Sequence, residues 1–180
     1  MSWANTGYWC RRWSHSIALQ NRGLIVCAID IVPRACEIMR KRGVIDVRCA
    51  DISSFEEEPF DTLLILGHGI GMVGTLSGLN PFLRDMHRLV KPDGQILLNS
   101  LDIRYTKDPV HIAYQEANRR DNRYFGEIRL QFEYKGIRGS HYGWLHVDSK
   151  MLAAHAMKAG WLCKVIRQEE SGDYLAQLIH

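Results

Sequence analysis

Apolar residues in this chain come in short continuous runs, separated by stretches in which they recur with a helical period. The runs Leu24 to Ile29, Val44 to Ala50, Thr62 to Leu66 and Gln95 to Asn99 are of strand length. Leu24 to Ile29, continuously apolar, predicts a strand covered on two faces, as in a parallel sheet, and Gln95 to Asn99 a buried strand after the one at 62–66. Between the last two, Leu79, Phe82, Leu83, Met86, Leu89 and Val90 fall at i, i+3, i+4, i+7, i+10 and i+11, which predicts one amphipathic helix. Pro92-Asp93-Gly94 is suited to stop that helix and turn the chain. Earlier, Trp9, Trp13, Ile17 and Ala18 predict a helix from Tyr8 to about Arg22, ended by Gly23. Pro33 opens another over Arg34 to Arg42, closed by Gly43. Strand, loop, helix and strand in succession form right-handed βαβ units, so the fold expected is α/β, a Rossmann-like doubly wound and mostly parallel sheet.

The pattern changes after Asp102. Asp108-Pro109 opens a helix to about Arg120. Glu127 to Tyr134 then alternates strictly, with Ile128, Leu130, Phe132 and Tyr134 on one side and Glu127, Arg129, Gln131 and Glu133 on the other. That is a half-exposed antiparallel strand, and Tyr142 to Val147 is its partner across a turn at Lys135 to Gly139. Asp148 caps a helix over Ser149 to Ala159. Trp161 to Gln168 and Asp173 to Ile179 are joined by so few residues that they must pair antiparallel. The whole reads as a single domain with an inserted antiparallel hairpin at about 104–147.

Composition narrows the function. The chain has 180 residues, 46% hydrophobic and 24% charged, with a net charge of +3 and no long basic run. Neither nucleic acid nor a membrane surface is indicated as a partner. No apolar stretch approaches membrane-spanning length and no signal peptide opens the chain, so a cytoplasmic location is expected. The five cysteines include no CxxC pair and read as buried free thiols; no His/Cys cluster has metal-ligand spacing.

Candidate chemistry sits at strand ends. Asp30 and Asp51 terminate the strands at 24–29 and 44–50, where a carboxylate can accept ribose hydroxyls or an adenine amino group. The plainer alternative is that each caps the next turn. Gly67-His68-Gly69-Ile70-Gly71 follows the strand at 62–66, and glycines there let backbone approach a ligand closely. His68 is the best-placed titratable residue, with local packing as its alternative. His87 reads as a surface residue, while His141 and His146 flank the insert's second strand. Tyr105, Tyr114, Tyr124, Tyr142 and Trp144 could line a partly aromatic pocket, and Arg119, Arg120 and Arg123 read as a solvated helix end.

At this point the chain resembles the class I S-adenosylmethionine-dependent methyltransferases. The resemblance rests on LIVCAID (24–30), VRCADI (47–52), FDTLLILGHGIG (60–71), FLRDMHRLVKPDGQILLNS (82–100) and AGWLCKVIRQEESGDYLAQL (159–178). It implies S-adenosylmethionine as cofactor, with Asp30 on the ribose hydroxyls and Ile31 beside it. Asp51 and Ile52 would bracket the adenine, and Gly67, His68 and Gly69 would lie under the methionine part. His68 would be the catalytic residue and a small molecule the methyl acceptor, recognised by the insert. An Asn/Asp-Pro-Pro-aromatic motif after the fourth strand, the mark of base-amino methyltransferases, is replaced by Gly67-His68-Gly69-Ile70.

Only Ala4-Asn5-Thr6-Gly7 resembles the family's first glycine loop, which makes Asn5 and Gly7 cofactor contacts and leaves the first strand missing. That predicts an N-terminally incomplete chain, impaired cofactor affinity and an open central sheet edge available to a second copy of the chain as a homodimer. Two other readings remain open at this stage. One is a non-catalytic methyltransferase-like binding module. The other is an NAD-dependent dehydrogenase, although that would want a full GxGxxG after its first strand.

Overall fold

Seven strands make one sheet in the order β10-β11-β5-β4-β1-β2-β3. In chain order they are β1 (Thr6–Trp9), β2 (Val26–Asp30), β3 (Asp46–Cys49), β4 (Phe60–Ile65), β5 (Val90–Leu101), β10 (Leu162–Gln168) and β11 (Asp173–Ile179). The computed structural model describes residues 14–180 and the backbone of Thr6–Trp9. Pairing is parallel from β5 through β4, β1 and β2 to β3, and antiparallel where β11 enters between β5 and β10.

Side-chain alternation explains why these runs became strands. Cys27 and Ile29 of β2, Leu63 and Ile65 of β4, and Ile96 and Leu98 of β5 belong to one core. It also takes in Leu79 and Leu83 of α3 (Leu76–Asp85) and Leu152 and Ala156 of α5 (Ser149–Lys158). The residues between them face the other way. Ala28 packs with Cys36 and Met39 of α2 (Pro33–Lys41), and Val26 and Leu64 pack with Leu19 of α1 (Ser14–Gln20). Trp161 anchors the larger core, 1% exposed, its indole N–H donating to the Leu83 carbonyl at 2.8 Å.

Several expectations are corrected. The first strand is present: Thr6–Trp9 lies at the sheet's centre, with Gly7 paired to both Cys27 and Leu63. Tyr8 and Trp9 therefore belong to a strand rather than to the following helix, which starts at Ser14. Gly7 lies inside that strand rather than in a loop, and Asn5 lies outside the described residues. The central edge that would have invited a second chain is closed by β1, and the ground for expecting impaired affinity goes with it. α3 ends at Asp85, with a 3-10 turn to Arg88, and β5 already begins at Val90. Pro92-Asp93-Gly94 forms a bulge inside β5, where Phe60 pairs with Val90 but Thr62 with Gln95. Cys27 and Cys36 are buried free thiols as expected, whereas Cys49 is exposed.

The insert begins with α4 (Pro109–Arg120), capped by Asp108. β6 (Glu127–Leu130) then pairs antiparallel with β9 (Tyr142–Leu145). A two-residue ribbon, β7 (Glu133–Tyr134) with β8 (Ile137–Arg138), tips the hairpin. The expected apolar face therefore stops at Leu130, and Phe132 and Tyr134 are exposed. Glu127, expected to face solvent, accepts the backbone N–H of Leu76 at 2.8 Å and so caps the start of α3. Among the described residues, no helix is long and apolar enough to cross a membrane.

Candidate active site

All the parallel strands end at one edge of the sheet, and antiparallel β11 starts there, since Asp173 pairs with Leu101. Chain order reverses between β1 and β4, the place where open α/β sheets bind ligands. Tyr8 is level with Ala28 and Leu64, so two residues on, Asp30 and Leu66 are level as well. With β1 between them, they stand two strand spacings apart, roughly 10 Å. Cys49 is level with Asp30, which puts Asp51 two residues beyond.

Both carboxylates make the local bonds expected of caps, each with one oxygen. Asp30 Oδ1 accepts the Val32 N–H at 2.8 Å. Asp51 Oδ1 accepts the N–H and hydroxyl of Ser53 at 2.9 and 2.8 Å. The other oxygen of each has no partner among the described residues. A hollow of about 630 Å³ lies against Asp51, bounded by Ile31, Ala50, Ile52, Val73 and Phe82. Ile31 is 58% exposed and offers its side chain, whereas Ile52 is buried in the core and contributes only an edge.

Across the switch point a second hollow, of about 650 Å³, is lined by Gly67, His68, Asn99 and Asp173. The sequence residues thus divide: Ile31, Asp51 and Ile52 share the first hollow, Gly67 and His68 the second, and Asp30 sits on the intervening edge. Gly69 is buried in a 3-10 turn over Gly69–Val73. Gly67 and His68 are both left-handed, with φ of 67° and 58°, and turn the chain sharply off β4. A non-glycine residue held there is strained by about 1–3 kcal/mol and needs fastening. Asn99 supplies it, Oδ1 accepting the His68 N–H at 3.1 Å. Asp173 holds the ring, with Oδ1 2.7 Å from His68 Nε2. A Cβ on Gly67 would meet nothing within 4 Å, so its backbone faces open space. Gly71 has a different purpose, because a Cβ there would collide with the Trp144 indole.

A third cavity, of about 600 Å³, lies under the insert, walled by Ile103, Val110, Tyr114, Ile128, Leu130 and His146. The His146 ring stands edge-on to that of His68, centroids 5.7 Å apart. Burial first, then the neighbouring His68, push its pKa down to about 4. Beside it, burial would raise the Asp102 carboxyl, but hydrogen bonds from Arg104 outweigh burial and hold it below its ordinary value. Asn99 and Asp173 escaped the sequence reading, and the available signal was a polar residue at a strand end, as at Asp30 and Asp51. His87 is not a free surface group: it stacks on Trp161 at 4.2 Å.

Comparison with known proteins now decides the family. A family model for a methyltransferase domain matches residues 10–98. A solved S-adenosylmethionine-dependent methyltransferase from Bacteroides fragilis, in complex with S-adenosyl-L-homocysteine, is 35% identical, with 97% of this chain and 72% of that chain covered and a TM-score of 0.81. The chain belongs to the S-adenosylmethionine-dependent methyltransferases. A methyltransferase from Methanosarcina mazei is similar in fold, at 14% identity over 96% of this chain and 88% of that one, with a TM-score of 0.69. So is the CcbJ methyltransferase from Streptomyces caelestis, at 8% identity over 96% and 82%, with a TM-score of 0.68. A search of curated proteins returns no match.

The methyltransferase's own edge residues suit the family's cofactor, S-adenosylmethionine. Two carboxylates with a spare oxygen answer hydroxyl and amino donors, exposed Ile31 answers an apolar base, and the open backbone at Gly67 leaves room for a close approach.

Proposed function

We propose that this methyltransferase methylates an oxygen or nitrogen of a small molecule, with His68 as general base. The carrying observation is the hold on His68: a strained residue at the tip of β4, pinned through its backbone by Asn99 and through its ring by Asp173. Bound S-adenosylmethionine supplies an electrophilic methyl group on a sulfonium; the acceptor heteroatom forms the new bond to carbon, the carbon–sulfur bond breaks, and S-adenosyl-L-homocysteine leaves.

In this reading Asp30 accepts from the ribose hydroxyls, Asp51 from the adenine amino group, and Ile31 and Ile52 border the base. Gly67, His68 and Gly69 pass beneath the methionine part. With Nε2 committed to Asp173, the remaining His68 nitrogen, Nδ1, takes the acceptor's proton, and Asp173 stabilises the imidazolium that forms. Such a base is worth about 10²–10⁴ in rate, and fixing the partners in line supplies about 7–11 kcal/mol more. The 600 Å³ cavity, apolar and bounded by the insert, supports a small acceptor over a polymer. A purely binding role would leave the strained, doubly fastened His68 without a purpose.

The test uses S-adenosylmethionine labelled in the methyl group, offered with a panel of phenols and amines and, separately, with DNA, RNA and protein. Label should enter small molecules only, and His68→Ala should abolish most of that turnover while S-adenosyl-L-homocysteine still binds in calorimetry. Label in a polymer, or unchanged turnover by H68A, would overturn the reading.

A further inference from the structure

The turn that follows Asp51 has little backbone of its own to hold it. It is a single 3-10 turn, Ile52–Ser54, and the chain from Ala50 to Pro59 has no other regular structure. Its backbone bonds run from the Ser54 N–H to the Asp51 carbonyl at 3.1 Å and from the Phe55 N–H to the Ile52 carbonyl at 3.4 Å. Short turns of this kind have poor hydrogen-bond geometry. Yet this one presents Asp51 and Ile52 to the hollow of about 630 Å³.

The fastening comes from far along the chain. Arg88 stands just after α3, and its guanidinium donates to the carbonyls of Ile52 and Phe55, one at each end of the turn and 36 and 33 residues away in sequence. The same guanidinium is held in its turn by Asp85. Nε and Nη2 donate to Asp85 Oδ1 and Oδ2 at 2.8 and 3.0 Å, a bidentate pair that fixes the plane and aims Nη1 and Nη2 at the turn. Phe55 is anchored independently: its ring is buried and stacked on that of Phe60, centroids 6.5 Å apart.

Asp51, Ile52, Ser53 and Asp85 line the hollow, whereas Arg88 stands behind them and does not. Arg88 therefore acts on an occupant only through the turn. A carboxylate rewards a well-placed donor in full when it is held still beforehand; on a loose turn, the cost of ordering Asp51 offsets part of that gain.

We propose that Arg88 is a positioning residue for the methyl donor: by tying both ends of the turn to the end of α3, it sets the Asp51 carboxylate and so the preference for the adenine amino group. The inference rests on the reading of Asp51 above and adds the residue through which the rest of the fold enforces it.

Calorimetric titration of the full chain compares S-adenosyl-L-homocysteine with its analogue in which hydrogen replaces the adenine amino group. The unaltered protein should prefer the former by about 10- to 100-fold, the ratio expected of a hydrogen bond to a charged acceptor. Asp51→Ala marks the ratio left without the carboxylate. Arg88→Ala should bring the ratio close to that of D51A, by weakening S-adenosyl-L-homocysteine and sparing the analogue. Arg88→Lys keeps the charge but loses the fork, and its preference should fall between. A merely structural role for Arg88 would weaken both ligands alike and leave the ratio untouched. The proposal is overturned if R88A and R88K, or whichever of them folds by circular dichroism, keep the full preference. No preference in the unaltered protein would instead overturn the Asp51 assignment, and this proposal with it.

Discussion

His68 Nε2 lies 2.7 Å from Asp173 Oδ1, although 105 residues separate them in the chain. The contact exists because β11 enters the sheet antiparallel beside β5 and so presents its first residue where β4 ends. A carboxylate there fixes the orientation of the imidazole. Asp173→Asn keeps the shape and removes the charge. Steady-state kinetics should show kcat reduced, by less than the 10²–10⁴-fold expected of H68A, with the KM for S-adenosylmethionine nearly unchanged. A rise in that KM at constant kcat would mean that Asp173 serves donor binding instead.

Asp30 gives a cleaner separation of binding from turnover. One oxygen is used locally, on the Val32 N–H, and the other is spare. Hydrogen bonds to a charged acceptor are worth about 1.5–3 kcal/mol, so Asp30→Ala should weaken S-adenosyl-L-homocysteine binding by about 10- to 100-fold in calorimetry. The lost local bond should cost only about 1 kcal/mol in urea unfolding. Unchanged affinity would remove Asp30 from the cofactor site.

What the sequence revealed, and what it hid, follows from the range of the forces involved. Two-sided burial obliges β2 and β4 to be continuously apolar, so they and the doubly wound order were legible. Asp30 and Asp51 were legible because a strand end is a local feature. β1 was not. Its four residues divide in sequence, Thr6 and Gly7 resembling a loop and Tyr8 and Trp9 the start of a helix, and what makes them a strand is the demand of two neighbours for a partner. Asp173 was hidden for a related reason: nothing near it in the chain predicts His68, and only the topology joins them. The glycines at 67–71 looked alike in sequence, yet Gly67 answers to backbone conformation and Gly71 to an indole ring.

Gly71 tests that distinction. The Trp144 ring occupies the place of a side chain at residue 71, so the loop after β4 and the insert strand β9 touch at this point. Gly71→Ala should force one of them back, at the 1–3 kcal/mol typical of overpacking, and lower Tm. Trp144→Leu should restore part of the loss when combined with it, a coupling that a double-mutant cycle would measure. Strict additivity would show that the two do not interact.

His146 sets a dependence on pH. Burial, and then His68, hold its folded pKa near 4, whereas the unfolded value is the ordinary 6.5; Asp173 opposes the shift. Between these values the unfolded chain carries a proton on this ring and the folded chain does not. Stability therefore rises with pH across that window, by about 1.4 kcal/mol per unit, and levels off above 6.5. The contribution is complete at neutral pH and is lost as acid brings the folded ring through its own titration, a total of up to ~3 kcal/mol. His146→Phe removes the titrating group while keeping a ring, so urea unfolding of H146F should fall less steeply than that of the unaltered protein between pH 6.5 and 4. Parallel curves for the two proteins would mean that His146 charges freely in the folded state, and that its neighbours, not its burial, govern the site.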